Sequence, residues 1–68
     1  MSLVKRSFSL SGHRTSVALE PEFWAALAEI AGRQGVVLSA LVAAVDAERD
    51  PSRPLASSLR IIALNARP

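Results

Sequence analysis

The chain has 68 residues, with a net charge of +2, half of its residues apolar and no cysteine. A domain this small buries only about 60% of the surface its unfolded chain exposes, so it needs a disulfide, a metal or a partner subunit to supplement its core. The missing cysteines exclude the first, and a lone His13 makes a structural metal site implausible, which leaves self-association.

A mean hydropathy of +0.28 is high for so short a chain and fits an apolar surface that a second copy covers. The longest nearly apolar stretch, Val36 to Val45, falls well short of the roughly 20 residues a membrane span needs. Residues 1–6 show no hydrophobic run followed by a cleavage site, so a cytoplasmic protein is expected. Charge is unevenly spread. Residues 1–19 carry Lys5, Arg6 and Arg14 and no acid, whereas the remainder sets five arginines against six carboxylates. A basic, acid-free segment, doubled in a dimer, suits a polyanion.

In chain order, residues 1–12 come first, as a basic arm or an extra strand. Val4, Phe8 and Leu10 alternate, and a two-residue turn at Ser11-Gly12 would place them on one face with Thr15, Val17 and Leu19. Arg6 interrupts that alternation, and the other reading is a flexible arm. Residues 13–19 read as a strand. Thr15, Val17 and Leu19 face a core, and Arg14, Ser16 and Ala18 face outward. If residues 1–12 are an arm, the chain offers no second well-defined strand, so pairing with the same strand of another copy is expected.

Glu20-Pro21-Glu22 opens a helix over about 21–34, with proline at its first position and acids where the helix dipole favours them. Phe23, Leu27, Ile30 and Ala31 recur at helical spacing with Trp24 beside them, and Gly35 is the expected stop. A second helix spans about 38–49, with Leu38, Leu41, Val42 and Val45 as its stripe. Pro51 and Pro54 break the chain. A third helix spans about 55–66. Leu55, Leu59, Ile62 and Ala66 form its stripe, widened by Ile61 and Leu64.

On these residues the chain resembles the ribbon-helix-helix (MetJ/Arc-like) superfamily. The likeness is carried by Arg14-Thr15-Ser16-Val17-Ala18-Leu19, by Pro21, by Gly35 and by Ser39-Ala40-Leu41-Val42. It looks nearest to a bacterial subgroup with an additional C-terminal helix, through His13-Arg14-Thr15-Ser16, Glu20-Pro21-Glu22-Phe23-Trp24 and Leu55 to Leu64. The resemblance implies a mainly α fold with one short strand, forming an intertwined homodimer with an intermolecular antiparallel β-ribbon. It also implies a transcriptional regulator that inserts the ribbon into the major groove of double-stranded DNA.

Carried over, the base-contacting residues are Arg14, Ser16 and Ala18. Arg14 can pair with guanine, Ser16 tolerates several bases, and Ala18 offers only a methyl group, where relatives often have a longer polar residue. The family's phosphate clamp falls on Val37, Leu38 and Ser39, although valine cannot cap a helix as the Ser or Thr of many relatives does. Lys5, Arg6 and His13 are further candidates for phosphate contacts. The expected dimer core is Val17, Leu19, Phe23, Trp24, Leu27, Ile30, Leu41, Val42 and Val45. A protein-interaction module, or an antitoxin-like partner, that keeps the fold without specific DNA binding is the alternative. No cofactor is expected. One histidine, no cysteine, no tyrosine and no glycine-rich phosphate loop leave nothing from which an enzyme site assembles.

Overall fold

The structure, a computed structural model, describes residues 2–66. Its elements run β1 (Val4–Leu10), β2 (His13–Leu19), α1 (Pro21–Gln34), α2 (Leu38–Glu48) and α3 (Leu55–Asn65). β1 and β2 form an antiparallel hairpin in which Val4 pairs with Leu19 and Leu10 with His13. Ser11 and Gly12 both have positive φ, 50° and 82°, as a two-residue turn matched to strand twist requires.

β2 is therefore not a lone strand. Its partner along one edge lies within the same chain, which corrects the expectation of a single strand with only another copy to pair with. Arg6 does not break the pattern. It sits on the core side of β1 with its guanidinium 5.1 Å above the Trp24 ring, so the aromatic face accommodates a charge where alternation calls for an apolar residue. The Trp24 indole N–H donates to the Val4 carbonyl at 2.8 Å, and the Phe8 and Trp24 rings lie 5.9 Å apart. One tryptophan of α1 thus fixes β1 at three points.

α1 begins on Pro21, and the Glu20 carbonyl accepts from the Phe23 and Trp24 amides. It ends as a Schellman turn: Gly35 is left-handed at φ 70°, its N–H reaches the Gly32 carbonyl, and the Val36 N–H reaches that of Ala31. α2 starts after Val37, which makes no side-chain cap, and stops at Arg49, whose backbone is already extended. α3 follows Pro54 and ends at Asn65, with Ala66 as its C-cap.

The core face of the hairpin supplies Phe8, Leu10, Val17 and Leu19. Beneath it lie Trp24, Leu27, Ile30 and Ala31 of α1, Leu41, Val42 and Val45 of α2, and Leu55, Leu59 and Ala63 of α3, all buried. Thr15 is half-buried at the margin. β1 rests on α2, and β2 on α3. The buried stripe of α3 runs through Leu55, Ser58, Leu59 and Ala63, with Ile62 half-buried. Ile61 and Leu64, expected to widen it, face outward, because the helix turns Ile61 nearly half a revolution, and Leu64 about a third, from Leu59 and Ala63. Glu20 ties α3 to the start of α1: the Arg60 Nε and Nη2 donate to its Oε1 at 3.1 and 3.0 Å, and the guanidinium covers Phe23 at 5.8 Å.

Candidate nucleic-acid interface

Strand alternation sends one set of hairpin side chains into the core and the other away from it. The pairing register groups the outward set in three rows: Lys5 beside Ala18, Ser7 beside Ser16, and Ser9 beside Arg14. All six are exposed except Ala18, which is half-buried. The Ser7 and Ser16 hydroxyls lie 3.2 Å apart and form one hydrogen bond, with either oxygen able to donate. The face therefore presents two cations, three serine hydroxyls and a methyl group, with the fourth hydroxyl, of Ser11, in the turn.

Among the described residues, three arginines outside the hairpin are paired and Arg53 is not. Arg33, Arg49 and Arg60 each hold a carboxylate, of Glu29, Asp46 and Glu20 respectively. Among the described residues, Lys5, Arg6 and Arg14 take part in no ion pair. The acid nearest to the hairpin in sequence, Glu20, is engaged by Arg60. Its carboxyl is held below the usual range, first by its own backbone N–H and then by the Arg60 hydrogen bonds. Uncommitted cations beside small hydroxyl groups suit an anionic, hydrogen-bonding ligand.

The residues read as DNA contacts do not all converge. Arg14, Ser16 and Ala18 share the outer face, and Lys5 joins them from β1. Arg6 lies on the opposite side of the same strand, over Trp24. His13 is exposed next to the turn, on the core side by register, opposite Leu10. Val37, Leu38 and Ser39 form the start of α2. Val37 is 68% exposed, Leu38 packs partly against the core, and Ser39 is exposed. The first turn of α2 contains no acid to oppose an anion.

Residue reasoning passed over Ser7 and Ser9 as outer-face residues. The signal was present: once Val4, Phe8 and Leu10 are assigned inward, the odd residues of the same segment must point outward. The residues expected in a dimer core are buried inside the single chain, apart from Phe23, which is half-buried. Among the described residues, the large apolar side chains left exposed are Leu3, Val4, Val36, Val37, Ile61 and Leu64.

Among the described residues, no three His, Cys, Asp or Glu side chains gather into a metal-binding group, and no single helix is long and apolar enough to cross a membrane. No curated protein and no solved structure shows significant similarity to the chain. Residues 3–66 match the family model described as a ribbon-helix-helix domain. That match spans both strands and all three helices, and the chain belongs to the ribbon-helix-helix domain family.

Proposed function

We propose that the chain is a homodimeric, non-enzymatic DNA-binding protein that acts in the cytoplasm as a transcriptional regulator and reads the major groove with its β-ribbon. The observation that carries this reading is the outer face of the hairpin, where Lys5 and Arg14 stand free of carboxylates among serine hydroxyls. Arg14 is the residue suited to a bidentate pair with guanine, Ser16 and its neighbours to adaptable hydrogen bonds, and Ala18 to a thymine methyl group. Backbone amides at Leu38 and Ser39, with Lys5, Arg6 and His13, are the groups available for phosphates.

Two features support a second copy. In a hairpin closed by a two-residue turn, Arg14, Ser16 and Ala18 direct their backbone groups to the free edge of β2. In addition, Ala40, Ala43, Ala44 and Ala47 line an exposed, uncharged face of α2, close to the exposed Val36 and Val37. A helix face without long or charged side chains allows close helix–helix approach.

The second reading is a protein-interaction or antitoxin-like module. It is favoured by Ala18 and Val37, which lack the polar groups that base reading and helix capping use, and by the β1–β2 hairpin, since two hairpins joined through their β2 strands would form a four-stranded sheet wider than the major groove.

Fluorescence anisotropy of a labelled duplex from upstream of the protein's own gene, titrated at two salt concentrations against a random duplex, tests the DNA reading. Specific binding should exceed random binding by about 10³ or more and weaken steeply with salt. Arg14→Ala should reduce specific affinity roughly ten- to hundredfold. Equal, weak binding of both duplexes would transfer the function to the interaction reading.

A further inference from the structure

We infer that the groove between α2 and α3 is a binding site for an uncharged, mainly apolar small molecule whose hydroxyl or carbonyl group meets the Ser58 hydroxyl. The groove has a volume of about 440 Å³, within the range of small-molecule sites. Its walls come from the end of α1, the body of α2, the loop that follows and α3. None of its lining residues belongs to the hairpin, so the site stands apart from the face assigned to DNA.

Ser58 points to the ligand. It lies on the buried stripe of α3 with Leu55, Leu59 and Ala63, where helical spacing calls for an apolar side chain, and it is only 8% exposed. Its hydroxyl takes no part in the side-chain hydrogen bonds among the described residues. Among those residues no fully enclosed side-chain oxygen or nitrogen lacks a partner, so the Ser58 hydroxyl opens onto the groove that it lines. Buried polar groups are normally paired, and the groove is the side from which a partner for this hydroxyl can come.

The rest of the groove sets the chemistry of that partner. Leu41 and Val45, 6% and 7% exposed, share the floor with Ser58, and Ile61 and Ile62 form the wall from α3. The rim carries Glu48, Arg49, Asp50 and Arg53, so its formal charges cancel. Arg49 is held by Asp46 and donates to the Arg53 carbonyl, and Asp50 accepts from the Ser52 backbone N–H and hydroxyl. A rim without net charge draws in neither anions nor cations, and a charge carried onto the apolar floor would lose its hydration without gaining a counter-ion. A neutral molecule with an apolar body and one hydrogen-bonding group matches the floor, the wall and Ser58 together.

The test records amide NMR spectra of the whole chain during titration with n-hexanol, hexanoate and hexylammonium, probes that share one apolar body and differ in charge. n-Hexanol should produce saturable shifts at Leu41, Val45, Ser58 and Ile61 and bind roughly tenfold or more tightly than either ion. Ser58→Ala should weaken n-hexanol roughly three- to tenfold. Its circular dichroism melting curve should lie at or above that of the wild type, because the variant removes a hydroxyl from an apolar stripe. Ile61→Glu, at an exposed position, should abolish the n-hexanol shifts and leave the oligomeric state in sedimentation velocity unchanged. Shifts that are absent or do not saturate, tighter binding of either ion, or wild-type affinity for n-hexanol in Ser58→Ala overturns the site. A changed oligomeric state in Ile61→Glu also overturns it, since the groove would then be covered by a second copy. None of these outcomes depends on DNA binding.

Discussion

Arg6 occupies a core-side position of β1 where alternation calls for an apolar side chain, and it is tolerated because its guanidinium sits over the Trp24 ring, 5.1 Å from the centroid. The same tryptophan bonds the Val4 carbonyl, so a single α1 residue turns a basic N-terminal stretch into a strand. Neither contact is visible as a local pattern. The partners are 18 and 20 residues apart in sequence and meet only when the hairpin folds over α1. Glu20 is a second residue whose role is non-local, since Arg60 on α3 holds its carboxylate. Its folded-state pKa is lowered from the ordinary 4.5, first by its own backbone N–H and then by Arg60. A lowered pKa stabilises the folded state above the unfolded value, and that contribution disappears as pH falls from about 4.5 through the lowered value. Glu20→Gln should therefore flatten the acid side of the stability-against-pH curve in that window and leave the curve above pH 7 nearly parallel to wild type. Thermal melts at several pH values check this, and an unchanged acid limb would remove Glu20 from the account.

At the scale of elements, most boundaries were legible because each has a local chemical cause. Pro21 suits a first helical turn, and Gly35 takes the left-handed conformation that ends α1. Pro51 and Pro54 lie in the break between α2 and α3. The stop of α2 at Glu48 is less legible, because Arg49 is a good helix former. Its extended backbone accompanies side-chain bonds to Asp46 and to the Arg53 carbonyl, which serve the loop rather than the helix. The hairpin turn is the element most open to test. Gly12 has φ 82° with open space around a Cβ, so Gly12→Ala should cost about 1–2 kcal/mol from backbone conformation alone. Ser11 has φ 50°, and Ser11→Asn should stabilise, because asparagine occupies that region more readily. Opposite shifts of the urea midpoint at an unchanged m-value check both. A Gly12→Ala protein as stable as wild type would argue against a left-handed turn.

At the scale of the whole molecule, one chain closes a core that the composition suggested would need a partner. The radius of gyration is 11.3 Å, close to the roughly 11 Å of a compact chain of this length. The hairpin provides this closure. β1 contributes Phe8 and Leu10 to the face that β2 and the helices leave open, burying about 1.5–3 kcal/mol of side-chain transfer energy each. Stability remains limited, on the order of 3–10 kcal/mol for a chain of this size. Leu27→Ala, at a fully buried position, should cost about 2–5 kcal/mol and consume much of it. If a second copy adds to the stability, the wild-type urea midpoint will rise with protein concentration; a midpoint independent of concentration would count against the proposed homodimer.

Alternation, proline and glycine placement, and helical periodicity determined one strand and three helices from residue 13 onward, the inward and outward faces of residues 13–19, and the acid-free basic stretch. All of these depend on a residue and its near neighbours in sequence, so they can be read along the chain. The tertiary structure decided that β1 pairs with β2 within one chain, and that Ser7 and Ser9 join Arg14 and Ser16 on one outer face. It also set the rotation of α3 that leaves Ile61 and Leu64 outside. These outcomes depend on which surfaces meet across long sequence separations. The sequence presented residues 1–12 as an arm or as a strand, and the packing of Phe8, Leu10, Arg6 and Val4 against α1 and its tryptophan makes the strand.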